Sequence, residues 1–232
     1  MFSTRSRFCL GKRTKDVAAR LEEELEYFSD LGVDFVFSAS KEKKKAPADL
    51  SSLEERILRC TLCPLSEGRK NAVPGEGDRG ARLMFVGEAP GADEDIQGRP
   101  FVGRAGQLLT KIIEAMKFRR DEVYITNVVK CRPPKNRTPA REEIEKCKPY
   151  LLAQLEAIRP EVIVSLGKVA TDFFVPSAAG MSLLRGNFYE YGRIQVMPTF
   201  HPSYLVRNEG DRALKRLVWQ DMQQVMAVLG KK

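Results

Sequence analysis

The sequence predicts an α/β fold, an α/β/α sandwich on a central four-stranded, mainly parallel sheet. Four short apolar runs rich in β-branched residues have the composition of strands that are buried on both faces. Segments in which apolar residues recur at helical spacing lie between these runs. Strands that alternate with helices along a chain are typical of a parallel sheet covered by helices.

The first 50 residues are predicted to stand apart from this fold. They comprise a basic tail over 1–15, a short amphipathic helix over 16–31 and a Lys-rich linker over 38–50. We therefore expect the folded domain to span residues 51–232.

The elements of the folded domain follow one another in order. The four runs predict strands over 82–87, 123–128, 161–166 and 193–197. The intervening patterns predict helices over 105–117, 139–158, 168–174 and 211–229. Thr138 followed by a proline indicates the start of the second helix, and Asp211 is a candidate cap of the last one.

Charge and hydropathy narrow the classes of protein. The net charge is +8, and residues 51–232 carry +7 of it, which favours a polyanionic partner such as nucleic acid over a merely basic soluble protein. The sequence contains no run of about 18 uninterrupted apolar residues, so no membrane span is predicted. No apolar segment of a signal peptide follows the basic N-terminus, so we expect a cytoplasmic protein.

Four of the five cysteines form two groups that predict a metal or cluster site. Cys60 and Cys63 are a CxxC pair, and 15 residues separate Cys131 from Cys147, whereas Cys9 stands alone. Four thiolates suit a cubane iron–sulfur cluster or a tetrahedral zinc ion. The wide spacing of the second group favours a cluster, but zinc and free thiols stay open on spacing alone.

Polar residues follow the predicted strands where parallel sheets bind ligands, at the carboxyl ends. The first strand leads into a loop rich in Gly and Pro, the second ends at Asn127, and the fourth leads to His201, the single histidine of the chain. These loops supply a backbone cradle, a carboxamide and an imidazole. On their own, each of these residues is also consistent with an ordinary turn or structural role.

Four strings and the four cysteines resemble one family. GEAPG with GRPFVGRAGQLL, then TNVVKCRPP, then HPSYLVRN occur in the order found in family 4 uracil-DNA glycosylases, the iron–sulfur branch of the uracil-DNA glycosylase superfamily. The resemblance covers about residues 55–228. It implies a monofunctional glycosylase that flips uracil out of DNA and excises it hydrolytically, which initiates base excision repair. It also implies a [4Fe-4S] cluster on Cys60, Cys63, Cys131 and Cys147.

The resemblance assigns roles by position. His201 and Glu88 are the implied catalytic residues, His201 as a donor to the departing base. The implied uracil-binding residues are Gly87, Glu88, Ala89, Glu94, Phe101, Asn127 and His201. The implied DNA contacts are Leu205 as a wedge and the phosphate partners Arg207, Arg104 and Arg132, to which Lys130, Lys135 and Arg137 are added as plausible. The implied partner is uracil-containing DNA, and we expect a monomer.

Two positions depart from the wider superfamily. Family 1 enzymes carry an Asp that positions water where this chain has Ala89, and a Tyr that blocks thymine where it has Gly91. Glu88 is therefore the candidate for water activation, and Glu94 is the candidate for thymine exclusion. No lysine is placed by the sequence to form a Schiff base, which underlies the expectation of a monofunctional enzyme.

Three other functions remain to be compared. The first is a non-catalytic iron–sulfur module that binds nucleic acid or transfers electrons. The second is a uracil-DNA crosslinking member of the superfamily, which is disfavoured because the segment 181–188 contains no histidine. The third is a Rossmann-type nucleotide binder, which is weak because no GxGxxG follows the first strand.

Overall fold

The computed structural model describes residues 49–231. They form an α/β/α sandwich, as predicted, but the sheet has six strands rather than four, in the order β1-β3-β2-β4-β6-β5. The strands are β1 (Glu76–Gly77), β2 (Leu83–Gly87), β3 (Tyr124–Asn127), β4 (Val162–Leu166), β5 (Tyr189–Tyr191) and β6 (Ile194–Thr199).

The inner four strands are the predicted ones, and they are parallel. Strand β2 pairs with β3 on one side and with β4 on the other, and β4 pairs with β6. The two strands that the sequence did not reveal, β1 and β5, pair antiparallel at the edges. They are only two and three residues long and are not fully buried, so they lack the apolar run that marks the inner strands.

Nine α-helices occur within residues 49–231. They are α1 (Leu50–Leu58), α2 (Leu65–Gly68), α3 (Ala92–Gln97), α4 (Arg104–Ala115), α5 (Arg141–Ile158), α6 (Lys168–Phe174), α7 (Met181–Leu184), α8 (Pro202–Arg207) and α9 (Arg212–Val228). The four predicted helices correspond to α4, α5, α6 and α9. The others are short, apart from α1, which begins at the end of the predicted linker.

Alternation along the inner strands divides the core between the two faces of the sheet. In β2, Met84 and Val86 pack in one cluster with residues of α1, α5 and α6. Leu83 and Phe85 point the other way, into a cluster with residues of α4 and α9. Both faces are therefore covered by helices, which explains why the inner strands are continuously apolar.

One predicted helix start is wrong and one is confirmed. Helix α5 begins at Arg141 rather than near Thr138, because the Glu143 carboxylate accepts the backbone N–H of Ala140 and so caps the helix there. Asp211 caps α9 by accepting from the backbone N–H of Leu214 at 2.9 Å. The helix predicted over 16–31, and Cys9, lie outside the described residues.

Within residues 49–231, no helix combines the length and the apolar character that crossing a bilayer requires. The division of the chain at residue 50 stays a prediction.

Candidate active site and cysteine centre

A cavity of about 440 Å³ opens at the carboxyl ends of the four parallel strands. The loops after β2, β4 and β6 and the last residue of β3 all contribute to its wall, as expected for a parallel sheet. The lining residues are Glu88, Ala89, Pro90, Gly91, Glu94, Phe101, Ala105, Asn127, Pro133, Asn136, Arg137, Gly167, Lys168, His201, Ser203 and Arg207.

Asn127 presents an unpaired acceptor to this cavity. Its side chain is only 1% exposed, and Oδ1 is the buried side-chain atom in the described part of the chain that lacks a hydrogen-bond partner. A buried oxygen without a partner costs about 1–3 kcal/mol. Because Asn127 ends β3 beside Gly87 of β2, the sheet fixes its backbone, and a donor bound in the cavity would pair with its side-chain oxygen.

Phe101 lies against the same site and is held in an uncommon conformation. Its φ of 50° is in the left-handed region, which costs a non-glycine residue about 1–3 kcal/mol. Helix α4 passes so close that a Cβ on Gly106 would lie 1.9 Å from the Phe101 carbonyl carbon. A glycine is therefore required inside that helix, and the packing maintains the Phe101 backbone.

Gly87 supports the pocket from behind rather than lining it. A Cβ at this position would lie 2.4 Å from Asn127 Oδ1 and 2.5 Å from Phe101 Cζ. The absence of a side chain thus lets the carboxamide and the aromatic ring lie next to each other. The structure places Gly87 with the predicted uracil-binding set, but as the spacer between two of its members.

His201 has a defined tautomer. Its Nδ1 accepts the backbone N–H of Ser203 at 3.1 Å and lies 2.8 Å from Ser203 Oγ. An accepting Nδ1 carries no proton, so in the neutral ring the proton sits on Nε2. Burial, with a smaller contribution from the positive charge of Arg207, lowers the pKa of His201 to about 4. The ring is therefore neutral near pH 7 and offers one N–H donor.

The rings of His201 and Phe101 are neighbours, with centroids 5.7 Å apart. An aromatic face, a carboxamide and a neutral imidazole donor therefore converge on one cavity. This combination suits a flat, polar heterocycle that has hydrogen-bonding groups on its edge.

Glu94 clamps the loops that form the cavity wall. One carboxylate oxygen accepts the backbone N–H groups of Val102 and Gly103, and the other accepts that of Gly91. These contacts join the start of α3 to the segment that carries Phe101. Both oxygens thus have backbone partners, and exclusion of thymine by Glu94 stays a prediction.

Glu88 lines the cavity and is half-buried. Burial raises the pKa of its carboxyl above the ordinary value. The raised pKa makes this carboxylate a better proton acceptor than an exposed one. Ala89 also lines the cavity, so both predicted residues lie where the sequence placed them.

Basic residues at the cavity include one that sequence reasoning missed. Arg207 and Arg137 were expected near DNA, and both line the cavity, although Arg137 is also paired with Glu143 at 2.6 Å. Lys168, which lies two residues beyond β4, was not foreseen. The expectation that no lysine is placed to form a Schiff base stays a prediction, and Lys168 is the lysine that tests it. The rule that loops after parallel strands carry functional groups would have pointed to Lys168.

Lys168 is tied down by its neighbours in α6 and beyond. Its ammonium group is paired with Asp172 and donates to the backbone carbonyl of Ser177 at 2.7 Å. Nζ is therefore engaged by two partners on its own side of the cavity wall.

Two predicted DNA contacts are contradicted by burial. Leu205 is 3% exposed and packs against Leu214 and Val218 of α9, so it does not form a wedge. Lys130 is 1% exposed and bonded entirely inside the protein, so it is not a phosphate partner. The first prediction rested on the position of Leu205 after His-Pro-Ser, which resembles that of the wedge leucine of the superfamily, and the second rested on the charge of Lys130.

The remaining predicted phosphate partners lie outside the cavity lining. Arg104 is exposed at the start of α4 and lies 3.9 Å from Glu209. Arg132 donates to Asn136 Oδ1 at 2.7 Å. Both stay predictions, as does exposed Lys135.

The four predicted cysteines line a second, small pocket. Cys60 and Cys63 follow α1, Cys131 follows β3, and Cys147 lies in α5, and all four thiols are free. Among residues 49–231, no three His, Cys, Asp or Glu side chains converge as tightly as a single ion requires. Arg69 donates to Cys131 Sγ at 2.9 Å and to the Leu58 carbonyl at 3.1 Å, which joins the two halves of the pocket.

The chemistry of this pocket fits a group that supplies positive charge. Burial raises the pKa of Cys147 to about 11 and raises that of Cys131 as well. Buried thiols of this kind ionise when a metal centre binds them. Donors from Arg69 and from the backbone N–H of Lys130, which is 3.3 Å from Cys147 Sγ, suit the resulting thiolates.

Comparison with known proteins agrees with this architecture. Residues 74–223 match the family model of the Uracil DNA glycosylase superfamily. A type-4 uracil-DNA glycosylase of Thermotoga maritima is 50% identical over 181 residues, covering 77% of this chain and 94% of the relative. A type-4 enzyme of Saccharolobus solfataricus is 42% identical, covering 79% of the chain and 88% of the relative.

A more distant relative is a type-5 uracil-DNA glycosylase of Pyrobaculum aerophilum, which is 36% identical over 195 residues and covers 70% of the chain and 86% of the relative. Identity is thus higher to both type-4 enzymes than to this type-5 enzyme. The chain therefore belongs to the uracil-DNA glycosylase superfamily, in its type-4 branch.

Proposed function

We propose that the chain is a monofunctional DNA glycosylase that excises uracil from DNA by hydrolysis and so initiates base excision repair. The observation that carries this proposal is the unpaired, buried Oδ1 of Asn127, which lies in the wall of the same cavity as the ring of Phe101 and the neutral donor His201. The type-4 relatives support it, because each is named a uracil-DNA glycosylase.

Base selection follows from the donors and acceptors of Asn127. Uracil presents an N3–H donor beside the O4 acceptor, which complements Oδ1 and Nδ2 of one carboxamide. Cytosine presents an acceptor at N3 and an amino donor at C4, so both contacts would be mispaired. A buried, mispaired edge can give discrimination of roughly 10⁴ or more. Stacking on Phe101 adds affinity without selecting among bases.

Bond cleavage places positive charge on the sugar and negative charge on the departing uracil. The Nε2–H of His201 is already aligned by Ser203 and needs no proton from solution. A fixed donor of this kind stabilises a developing anion in the same way as an oxyanion hole. We assign this role to His201, with uracil O2 as the acceptor.

Glu88 is the proposed acceptor for the proton of the attacking water. It lies in the cavity wall directly after Gly87, and its raised pKa brings it closer to the range of an effective general base. Ala89 supplies no carboxylate, so Glu88 is the nearest acidic residue on this loop.

Hydrolysis without lyase chemistry is supported by the contacts of Lys168. Schiff-base formation needs an amine that is free to reach the sugar, and Nζ of Lys168 is engaged by Asp172 and by the Ser177 carbonyl. Borohydride treatment during turnover should therefore trap no covalent protein–DNA complex. A trapped complex that disappears in a Lys168→Met variant would reassign the enzyme as bifunctional.

Binding to DNA is proposed to use the basic rim and the excess charge of the domain. Arg207 and Arg137 lie beside the cavity, where the phosphates flanking a flipped nucleotide would pass. We propose that the enzyme acts as a monomer on uracil-containing DNA and is found with the DNA in the cytoplasm.

The proposed cofactor is a [4Fe-4S] cluster held by Cys60, Cys63, Cys131 and Cys147. The donor set, the wide spacing and the branch of the family support it. Such a cluster would supply structural cross-linking, because hydrolysis of a glycosidic bond needs no redox step.

The proposal is tested by a uracil-release assay on a labelled oligonucleotide. Wild type should release uracil, and Asn127→Asp should lower kcat/KM by about 10² or more, because one of the two base contacts becomes unfavourable. Exposed Asn187→Asp is the matched control and should match wild type. No release by iron-loaded wild type would favour a non-catalytic iron–sulfur module. A stable covalent adduct would favour a crosslinking enzyme.

A further inference from the structure

Lys130 is a buried lysine that the proposed chemistry leaves without a role. Its side chain lies inside the protein between the sheet and helix α5, and its Nζ has three oxygen partners. These are Thr126 Oγ1 at 2.6 Å, the backbone carbonyl of Asn127 at 2.7 Å and Gln154 Oε1 at 2.7 Å. Three acceptors match the three N–H donors of an ammonium group.

The partners of Lys130 belong to a wholly buried polar network. Thr126 Oγ1 and Gln154 Nε2 both donate to the backbone carbonyl of Pro74 at 2.8 Å. Gln154 Nε2 also lies 3.2 Å from the hydroxyl of Tyr124. The network therefore ties the carboxyl end of β3 to helix α5 and to the segment before β1.

Burying a lysine amino group costs free energy that an apolar side chain would not. All three oxygen partners are formally neutral, so the amino group of Lys130 has no carboxylate among its hydrogen-bond partners. An apolar side chain of similar volume would fill the space without this cost. The network is therefore best explained by what it holds in place.

The network holds Asn127, the residue whose side-chain amide is assigned to uracil recognition. The β3 ladder ends at Asn127, whose carbonyl is taken by the Lys130 ammonium instead of by a further strand partner. Beyond it, the backbone N–H of Val128 donates to Gly87 O and that of Val129 to Glu88 O. Lys130, which is buried and does not line the cavity, thus fixes the end of the strand from inside the protein.

We propose that Lys130 is a positioning residue for uracil recognition, which acts through Asn127 by anchoring its backbone carbonyl. The proposal rests on the assignment of Asn127 to the uracil edge. Loss of the anchor would let the carboxamide shift relative to Phe101 and His201, and a displacement of about 1 Å at a reacting site can cost about 10²-fold in rate.

The test is a double-mutant cycle with single-turnover excision of uracil as the readout. Lys130→Met should lower the rate by about 10-fold to 100-fold in the wild-type background. In an Asn127→Ala background the same substitution should change the remaining rate by less than about twofold, because two residues that act through one contact are not additive. Lys111→Met, at an exposed helical position, is the control and should change neither rate.

The other outcomes separate the possible roles. An equal loss of rate in both backgrounds would overturn the proposal and make Lys130 a general structural residue. Loss of bound iron in Lys130→Met would assign the lysine to the cysteine centre instead and would also overturn it. An Asn127→Ala variant with normal activity would refute the assignment of Asn127 itself, which is a separate failure.

A second pair of variants keeps the proposal testable if Lys130→Met does not fold. Thr126→Val removes one partner of the ammonium group, whereas Thr126→Ser keeps the hydroxyl. Thr126→Val should lower the excision rate only when Asn127 is present. Thr126→Ser, which keeps the hydroxyl, should excise uracil at close to the wild-type rate. Equal effects of Thr126→Val with and without Asn127 would contradict the role of the network.

Discussion

At the residue scale, the groups proposed to contact uracil are fixed by contacts that leave their functional atoms free. Ser203 occupies Nδ1 of His201 and leaves Nε2 available. The sheet holds Asn127 and leaves Oδ1 without a partner. The donors and acceptors therefore lie in position before a base enters, so little reorganisation is needed when it binds.

Replacement of His201 should affect the chemical step more than binding. His201→Ala removes the donor to the departing base, so the single-turnover rate should fall by roughly 10²–10³, as for loss of one oxyanion donor. Affinity for DNA should change little, because phosphate contacts dominate it. Normal cleavage with weak binding would instead make His201 a DNA anchor. No other imidazole in the chain can substitute.

The same residue predicts how stability depends on pH. The pKa of His201 is about 4 in the folded protein and 6.5 as the ordinary value. The unfolded chain therefore binds a proton between these values that the folded protein does not. The stability of wild type relative to His201→Asn should be constant above about pH 6.5 and should fall as the pH decreases toward 4. Denaturant titrations at several pH values measure this, and a constant difference would contradict the buried, neutral ring.

At the element scale, two loops after β2 are joined by one carboxylate. Glu94 bonds three backbone N–H groups, one before α3 and two before α4. Phe101 lies between these anchors in the chain. Its backbone conformation is further constrained by the close approach of Gly106. The aromatic surface of the pocket is thus built from backbone contacts that bracket it.

Neutralising Glu94 should loosen this arrangement. In Glu94→Gln, an amide N–H₂ must face backbone donors, and the charge-assisted bonds are lost. We expect a loss of about 1–3 kcal/mol in the free energy of unfolding and a lower kcat/KM for uracil. Exposed Glu114→Gln is the control. If Glu94→Gln has the same free energy of unfolding and the same kcat/KM as wild type, the contacts of Glu94 have no energetic role.

The elements differ in how far the sequence could define them. The inner strands were predictable because burial on both faces demands continuous apolar runs, as in β2 and β4. Edge strands β1 and β5 are not buried on both faces, so they need no continuous apolar run and were missed. Among site residues, Asn127 and His201 stand out at strand ends, whereas the roles of Lys130 and Leu205 depend on three-dimensional burial that a local pattern does not encode.

At the scale of the whole molecule, the proposed cluster would connect distant parts of the chain. Its four cysteines lie in the segment after α1, at the end of β3 and in helix α5, on the same face of the sheet as the Lys130 network. A cross-link between residues so far apart in sequence restricts the unfolded chain strongly.

Removal of one ligand should therefore destabilise the fold more than it changes the chemistry. Cys147→Ala should lose iron and visible absorbance and should lower stability by roughly 2–5 kcal/mol, the range for losing a structural cross-link. The folded fraction should keep a near-normal single-turnover rate. Cys9→Ala, outside the ligand set, is the control. Stoichiometric zinc without iron after anaerobic purification would contradict the cluster.

The segment between α1 and β1 depends on a few contacts for its place in the fold. Apart from the single turn of α2, it has little regular structure. It is held by Arg69 and by a bond from Val73 N–H to Lys130 O at 2.7 Å, and it carries Cys60 and Cys63, two of the proposed cluster ligands. In a cell starved of iron, we expect newly made chains to lack the proposed cluster and to be degraded. Deaminated cytosines would then persist longest under metal scarcity, so the mutation rate would depend on nutrition through the folding of a repair enzyme.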